Sequence, residues 1–103
     1  MSVLLEFAMF PTDKGSSVSN YVSKVIEMIR NDCKDYKLTA MGTIIETETL
    51  NEALTIVQKA HDILEKDSDR IYSSIKLDIR KDKDKRLQNK ISSIEEKIGK
   101  VNQ

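Results

Sequence analysis

The stretch Tyr36–Glu48, YKLTAMGTIIETE, decides the fold because it holds two strand-length segments with almost nothing between them. Tyr36–Ala40 and Thr43–Glu48 are separated only by Met41-Gly42. This spacing predicts a tight β-hairpin in which Gly42 supplies the unusual backbone angles of the turn. In a chain of 103 residues, a central hairpin leaves the rest of its sheet to be built from the segments on either side.

The segment before the hairpin predicts a strand followed by a helix. Val3–Phe10 is apolar on both faces except at Glu6, and Pro11 ends it. After a polar turn, apolar residues recur at helical spacing, and we expect the helix to end near residues 31–35. Ser16 or Ser17 is in position to cap its start. The apolar residues of this helix are Val18, Val22, Val25 and Ile29.

The segment after the hairpin repeats that arrangement in the order helix and then strand. Thr49 and Glu52 form the pattern of a capping box, which predicts a helix beginning at Thr49. Its expected buried stripe consists of Ala53, Val57, Ala60 and Leu64. Arg70–Arg80 alternates clearly, which predicts a strand with one face on the core and the other toward water, ligand or a partner. The core face would carry Ile71, Ser73, Ile75, Leu77 and Ile79.

The order strand–helix–strand–strand–helix–strand predicts a ferredoxin-like α+β fold, in the pattern βαββαβ. We expect residues 1–103 to form one domain, with a four-stranded antiparallel sheet, two helices on one face, and the first and third strands central. A C-terminal helix of about residues 86–100 follows, with an apolar seam of Leu87, Ile91, Ile94, Ile98 and Val101. The seam docks either on its own domain or on another subunit. Together with the uncovered sheet face, it favours a homo-oligomer.

Composition excludes several classes of protein. Seventeen basic and seventeen acidic residues balance, so we expect no nucleic-acid or membrane partner. Residues 1–65 nevertheless carry ten Asp and Glu against six Lys and Arg, which is either ordinary surface or a mildly acidic site for a cation. Cys33 is the only cysteine, which excludes an internal disulfide and suits a reducing compartment. Without a recognisable signal peptide or membrane span, we expect a cytoplasmic protein.

The chain resembles the thiamine-binding protein family along essentially its whole length. The resemblance rests on an ordered set: Glu6 and Pro11, Val18-Ser19-Asn20-Tyr21-Val22, Tyr36-Lys37-Leu38-Thr39, Met41-Gly42-Thr43, Ile45-Glu46, His61, Arg70 and Arg80. It implies a ferredoxin-like fold, domains paired through their sheets and often a tetramer, and binding of thiamine or its hydroxymethylpyrimidine precursor. Thr47 and Cys33 stand where the family usually has glycine.

A thiamine-like ligand needs a carboxylate or hydroxyl for its aminopyrimidine, ring faces to stack on, and negative potential near its cation. Glu6 is the first candidate, because a carboxylate in the middle of an apolar central strand is costly unless it is paired or used. The alternative is an ion pair across the sheet with Lys76 or Arg80. Glu46 is a second candidate, although we expect solvent to reach it near the end of its strand.

Four further residues complete the predicted ligand site. Thr43 and Ser19 offer hydroxyl groups, and Tyr36 and Met41 offer surfaces for stacking on a ring. Each also has a purely structural explanation as a strand, helix-start or packing residue. His61 is the only histidine, so we expect it to be a packed helix residue and predict no metal site and no cofactor.

No catalytic motif is present, so we expect a binding protein and no catalytic residues. The sequence has no glycine-rich phosphate loop, no G-x-S-x-G and no H-x-x-x-H. Two alternatives stay open: a small ferredoxin-like oligomeric enzyme, or a regulatory sensor of another small cationic heterocycle.

Overall fold

The computed structural model describes all residues from Met1 to Gln103 and contains four strands and three helices. In chain order these are β1 (Ser2–Pro11), α1 (Ser19–Asp32), β2 (Tyr36–Thr39), β3 (Gly42–Thr47), α2 (Leu50–Glu65), β4 (Ile71–Arg80) and α3 (Arg86–Ile98). The order confirms the predicted βαββαβ pattern with an additional C-terminal helix. No helix here combines the length and the apolar character that crossing a bilayer demands.

The four strands form one antiparallel sheet in the order β2-β3-β1-β4. β1 and β3 are central, as predicted, and β2 and β4 are the two edges. This is the ferredoxin-like arrangement. Both edges of β1 are therefore hydrogen-bonded to a neighbouring strand.

The two faces of the sheet differ in what covers them. Side chains alternate along a strand, so every second residue of β1 points to the same face. Val3, Leu5, Phe7 and Met9 are at most 7% exposed and join the core beneath α1 and α2, on what we call the helix-covered face. The alternate residues Leu4, Glu6, Ala8 and Phe10 are partly exposed and lie on the open face.

The core lies between the helix-covered face and the two helices. α1 contributes Val25 and Ile29, and α2 contributes Ala53, Ile56, Ala60 and Leu64 at helical spacing. Burying one large aliphatic side chain contributes about 1.5–3 kcal/mol. The 12 buried residues of this cluster are therefore the main source of stability, and they fix α1 and α2 over β1 and β3.

The hairpin turn differs from the prediction. Gly42 is the first residue of β3, and the glycines with positive φ are Gly15 and Gly99, so the predicted role of Gly42 in the turn was wrong. Glycine is needed for space, because a Cβ at Gly42 would lie 3.0 Å from the Phe7 carbonyl oxygen. Thr39 stabilises the turn: its hydroxyl accepts from the amides of Met41 and Gly42 at 3.2 and 3.1 Å.

The two main helices begin differently. Thr49 caps α2 by accepting a hydrogen bond from the Glu52 amide at 3.1 Å, which confirms the predicted cap. At α1 the N-cap residue is Val18, and no side chain caps the helix. The predicted cap at Ser16 or Ser17 was therefore wrong, because both serines lie in the loop before the helix starts.

β4 is much more exposed than its alternation predicts. Ile75, Leu77 and Ile79 are 44%, 44% and 42% exposed, so the expected core face of this strand is not buried. The reason is its position at an edge, since α2 has most of its sheet contacts with β1 and β3. Only Ile71, at the start of the strand, packs partly against the core.

α3 confirms the predicted C-terminal helix to within two residues. Its apolar seam is buried at the start and free at the end, since Leu87 is 9% exposed but Ile94 is 44% and Ile98 is 73% exposed. The helix therefore docks on its own domain chiefly through its first turn.

Candidate functional site

A groove of about 520 Å³ lies between α1 and the edge strand β2, and we call it the α1–β2 groove. Its volume falls within the range of roughly 300–1,000 Å³ that is usual for small-molecule sites. Its lining consists of Ser19, Val22, Ser23, Ile26, Glu27, Arg30, Tyr36 and Leu38.

The periodicity of both elements places these side chains together. The α1 residues recur every three or four positions and so share one side of the helix, next to the side that carries Val25 and Ile29 into the core. On β2, Tyr36 and Leu38 are two residues apart and share the helix-covered face. The partly buried side chains of Val22, Ile26 and Tyr36 form an apolar floor below a rim of exposed polar groups.

The polar rim of the groove has unused binding capacity. Neither Glu27 nor Arg30 takes part in an ion pair within the chain. The Ser23 hydroxyl donates to the Asn20 carbonyl at 3.0 Å and still has lone pairs to accept with. The groove thus presents a carboxylate, a guanidinium, hydroxyls and a tyrosine ring to one small volume.

Two of the predicted ligand residues lie near the groove but outside its lining. Thr43 faces Leu38 and Phe7 in the register, on the helix-covered face, and is 5% exposed. Met41 lies at the tip of the hairpin and is 87% exposed. Within one chain, neither residue contacts the cavity that Ser19 and Tyr36 line.

Glu6 lies on the opposite face of the sheet from the groove. In the register it sits between Ile44 of β3 and Lys76 of β4, in the middle of the open face. It is partly buried, yet it forms no ion pair, and Arg80 pairs instead with Asp82 at 3.1 Å. The alternative of an ion pair with Lys76 or Arg80 is therefore absent from this structure.

Beside Glu6, the open face carries small residues at its centre and two aromatic residues at one end. Ala8 faces Ser74 in the register. A Cβ built on Gly42 would lie 3.8 Å from the Cβ of Ala8. Ala8, Ser74 and Gly42 are therefore small neighbours on three adjacent strands. Beyond them, the rings of Phe10 and Tyr72 lie 5.6 Å apart between centroids. Glu6 lines neither the α1–β2 groove nor the polar cavity where α1 ends and α2 begins.

Glu46 serves the fold. Its carboxylate accepts hydrogen bonds from the Ser2 hydroxyl and from the amides of Arg86 and Leu87 at 2.9 and 3.0 Å, so it caps the start of α3. The Arg86 side chain completes the arrangement by donating to Ser2 Oγ and to Asp78 Oδ2, both at 2.9 Å. Glu46 is 9% exposed, so the expectation that solvent reaches it was wrong.

The electrostatics of Glu46 agree with this role. Burial on its own raises the pKa of the Glu46 carboxyl, but the hydrogen bonds from Ser2, Leu87 and Arg86 outweigh burial and hold the pKa below its usual value of 4.5. The ionised form is therefore the one that the fold stabilises. With its lone pairs engaged, this carboxylate has little capacity left for a ligand.

A second cavity, of about 530 Å³, lies where α1 ends and α2 begins. Its lining is strongly polar and includes Asp32, Asp35, Glu46, Glu48 and Glu52 with three lysines. Cys33 is 7% exposed at its edge, and burial raises the pKa of the thiol. No aromatic side chain lines this cavity, so a heterocyclic ring would find nothing to stack on.

His61 belongs to a surface cluster of potential metal ligands that are close together in the sequence. Its ring, the Asp62 carboxylate and the Glu65 carboxylate bring ligand atoms within 4.8 Å of one another. All three stand on one turn of α2, and Asp62 also accepts from Gln58 at 2.9 Å. This contrasts with the expectation of a packed histidine, since the His61 side chain is 44% exposed.

Comparison with known proteins decides the family. The sequence profile of thiamine-binding proteins matches residues 5–95 of this chain. The chain belongs to the thiamine-binding protein family. The match spans β1 through most of α3, so it includes both the groove and the open face.

Relatives of this thiamine-binding family member cover nearly its whole length. A UPF0045 protein of Methanocaldococcus jannaschii is 39% identical over 94 residues, which is 91% of this chain and 93% of that protein. A UPF0045 protein of Methanothermobacter thermautotrophicus is 38% identical over 84 residues, covering 81% and 85%. The crystal structure of the M. jannaschii protein superposes with a TM-score of 0.80, at 40% identity over 92% of this chain and 97% of the other.

Within this family framework, the six predicted ligand residues divide among separate places. Ser19 and Tyr36 meet in the α1–β2 groove, whereas Glu6 and Glu46 lie on the open face. The prediction missed the other groove residues, above all Glu27. The signal was available in the sequence, because Ser19, Ser23 and Glu27 follow one another at intervals of four on a predicted helix.

Proposed function

We propose that this chain is a non-catalytic binding protein for thiamine or its hydroxymethylpyrimidine precursor, and that the ligand lies in the α1–β2 groove. The observation that carries the proposal is the groove lining: a tyrosine ring and apolar floor beneath two serine hydroxyls and an unpaired carboxylate. Membership of the thiamine-binding family supplies the class of ligand. The role would be storage, delivery or sensing of the vitamin.

The lining answers each chemical need of an aminopyrimidine joined to a thiazolium. Tyr36 and Ile26 offer faces for the rings, and the hydroxyls of Ser19 and Ser23 can bond to ring nitrogens. The Glu27 carboxylate can accept from the exocyclic amine or lie near the positive thiazolium. A neutral pyrimidine would use the hydrogen bonds alone, so Glu27 should favour the cationic ligand.

Binding without turnover is supported by the kinds of residue in the groove. Its lining contains no histidine and no cysteine, and neither serine has a general base as a hydrogen-bond partner. Activation of a serine nucleophile ordinarily requires such a base. The alternative function, a small enzyme, is tested by incubating the protein with thiamine and following the ligand by NMR. An unchanged ligand spectrum supports binding alone, and accumulation of a product would overturn it.

The site is tested by filling the groove. Calorimetry with thiamine and with free hydroxymethylpyrimidine measures affinity, and ligand at 100 times its dissociation constant should add about 2.7 kcal/mol of stability. Ser23→Trp places an indole in the groove and should weaken binding about tenfold or more. Ser93→Trp is the matched control, since Ser93 is an exposed serine on α3. Equal affinity for the two variants would contradict the groove as the site.

The charge is tested by Glu27→Gln, which keeps the shape but removes the carboxylate. We expect thiamine affinity to fall about fivefold to thirtyfold, with a smaller change for the neutral pyrimidine. Glu48→Gln is the control, because Glu48 lines the polar cavity instead. A loss with Glu48→Gln and none with Glu27→Gln would move the ligand to that cavity.

A further inference from the structure

The outer edge of β2 is unpaired and borders the α1–β2 groove. β2 pairs with β3 on one side, and no strand of the chain lies on the other. Both Tyr36 and Leu38 of this strand line the groove. The edge therefore brings main-chain amide and carbonyl groups to the same small volume as the side chains described above. Main-chain groups are strong donors and acceptors, so they are potential ligand contacts.

The pattern of hydrogen bonds between β2 and β3 determines which of these groups point outward. In an antiparallel pair, opposed residues alternate between those that exchange two hydrogen bonds and those that exchange none. The Glu46 amide donates to the Asp35 carbonyl at 2.9 Å, one position before the first residue pair of the two strands. Counting from there, Lys37 turns its backbone groups to β3, whereas Tyr36 and Leu38 turn theirs to the free edge.

The outward groups of Leu38 are the more accessible of the two sets. Neither Tyr36 nor Leu38 bonds to the backbone of any turn, loop or cap. Leu38 is 60% exposed, whereas Tyr36 is partly buried. β2 has four residues, and so short an edge strand discourages pairing with another chain. A small ring needs only one donor and one acceptor, which the Leu38 backbone supplies.

We propose that the backbone of Leu38 recognises the aminopyrimidine of the ligand, with its N–H donating to a ring nitrogen and its C=O accepting from the neighbouring exocyclic amine. This inference rests on the function proposed above, because it specifies how the groove recognises that ligand. The amine and the ring nitrogen are attached to the same carbon atom, so donor and acceptor lie side by side. The N–H and C=O of one residue in an extended strand also lie side by side, which is how opposed strands exchange paired bonds. The ring thus binds β2 as a residue of a neighbouring strand would.

The rest of the groove then has separate tasks. β2 follows α1 after a short connection and runs back along it, so Tyr36 lies near the end of α1 and Leu38 further back. Val22 and Ile26 line the α1 side of the groove and can cover one face of a ring that is bonded to Leu38. Because the amine already has an acceptor in the Leu38 carbonyl, the Glu27 carboxylate is left for the positive thiazolium.

Amide hydrogen exchange measured by NMR tests the contact without a substitution. Saturating thiamine should slow exchange of the Leu38 amide about tenfold or more, because a hydrogen-bonded amide exchanges only after its bond opens. The Lys37 amide is the matched control, since it bonds to β3 with and without ligand.

The other results of the exchange measurement each contradict the proposal in a distinct way. Unchanged exchange at Leu38, with altered resonances at Ser19 and Ser23, would overturn the backbone contact and leave the groove as the site. A Leu38 amide that is protected before ligand is added would mean that another strand occupies the edge, which also overturns the contact. Unaltered resonances at every groove residue would overturn the groove proposal and this one with it.

Leu38→Pro tests the same contact by calorimetry. Proline has no N–H, and an edge strand tolerates it where the N–H points away from the sheet. The variant should therefore fold, which thermal unfolding checks, and thiamine affinity should fall about tenfold or more. Leu38→Ala is the comparison, because it shortens the same exposed side chain but keeps the amide, so its loss should be at most about threefold. Equal affinities of the two variants would refute the contact. If Leu38→Pro does not fold, amide exchange in the unaltered chain decides.

Discussion

Two carboxylates on the open face, Glu46 and Glu6, have contrasting surroundings although they lie on adjacent strands. In the register, Glu46 faces Leu4 and Glu6 faces Ile44, so they are one step apart on the same face. Glu46 accepts from Ser2, Arg86 and Leu87. Glu6 is partly buried with no ion pair.

The difference between them comes from a segment far away in sequence. α3 begins 40 residues after Glu46, and its free amides need an acceptor at the place where the helix meets the sheet. Lys85, the N-cap residue, has no side-chain cap and a left-handed backbone with φ of 51°, so Glu46 supplies the missing acceptor. No such segment reaches Glu6. Local sequence predicts the wrong contrast, because it places Glu46 near a strand end within reach of solvent and does not show that the start of α3 covers it.

The largest expected effect is on Glu46. Glu46→Ala removes the cap of α3 and leaves the Ser2 hydroxyl without its acceptor, so we expect the free energy of unfolding to fall by about 2–4 kcal/mol. Urea denaturation measures it. Glu48→Ala is the control, since Glu48 is exposed two residues further on and should change stability by at most about 0.5 kcal/mol. Equal effects of the two substitutions would contradict a capping role for Glu46.

The second prediction compares the buried start of α3 with its exposed end. Leu87→Ala should cost about 2–3 kcal/mol, because Leu87 is 9% exposed and a cavity is left behind. Ile98→Ala should cost at most about 0.5 kcal/mol, because Ile98 is 73% exposed. Thermal or urea unfolding of both variants checks the gradient. A large loss at Ile98 would show instead that this end is buried against another copy.

The third prediction concerns acid. The pKa of Glu46 is lowered in the folded protein, so its contribution to stability is present above its unfolded-state pKa of about 4.5 and is lost as the pH falls through the folded-state value. Glu46→Gln cannot titrate and should lack this part of the pH dependence. The stability difference between the two proteins should therefore be largest near pH 7 and shrink toward pH 3, by urea denaturation at each pH. A stability difference that does not change with pH would mean that the ionised form of Glu46 is not needed to hold α3 in place.

Sequence alone was sufficient for the fold and insufficient for the site, for a definite physical reason. The Thr49 cap and the order of strands and helices depend on local patterns, and the structure confirms both. The need for Gly42 depends on the distance to Phe7, 35 residues away. The exposure of Leu77 depends on where the helices lie over the sheet. Such properties arise from contacts between distant segments, which periodicity does not encode.

The candidate site shows the same division. The α1 side of the groove follows from helical spacing and is readable in advance from Ser19, Ser23 and Glu27. The meeting of this helix side with Tyr36 requires the tertiary arrangement of α1 beside the edge strand. Glu6 is separated from the groove because its side chain lies on the other face of β1. The sequence does not predict which face this is, because β1 is apolar on both sides.

The smallest expected effect is at Glu6, where Glu6→Gln removes the charge and keeps the shape. Because the ligand proposed for the groove lies on the other side of the sheet, thiamine affinity should change less than about twofold. Stability should stay within about 0.5 kcal/mol or rise slightly, since a partly buried charge without a partner is lost. Calorimetry and thermal unfolding of the same variant measure both quantities.

Each possible result for Glu6→Gln identifies one arrangement. A charge-assisted contact with a cation on the open face is worth about 1.5–3 kcal/mol, so a tenfold to hundredfold loss of affinity would place the ligand beside Glu6 and exclude the groove. A lowered melting temperature with unchanged affinity would mean that Lys76, its neighbour in the register, pairs with Glu6 in solution. Unchanged values of both, with a loss for Glu27→Gln, would leave the groove as the site. Glu6 would then be a carboxylate that the fold tolerates because one side of its strand stays open to water.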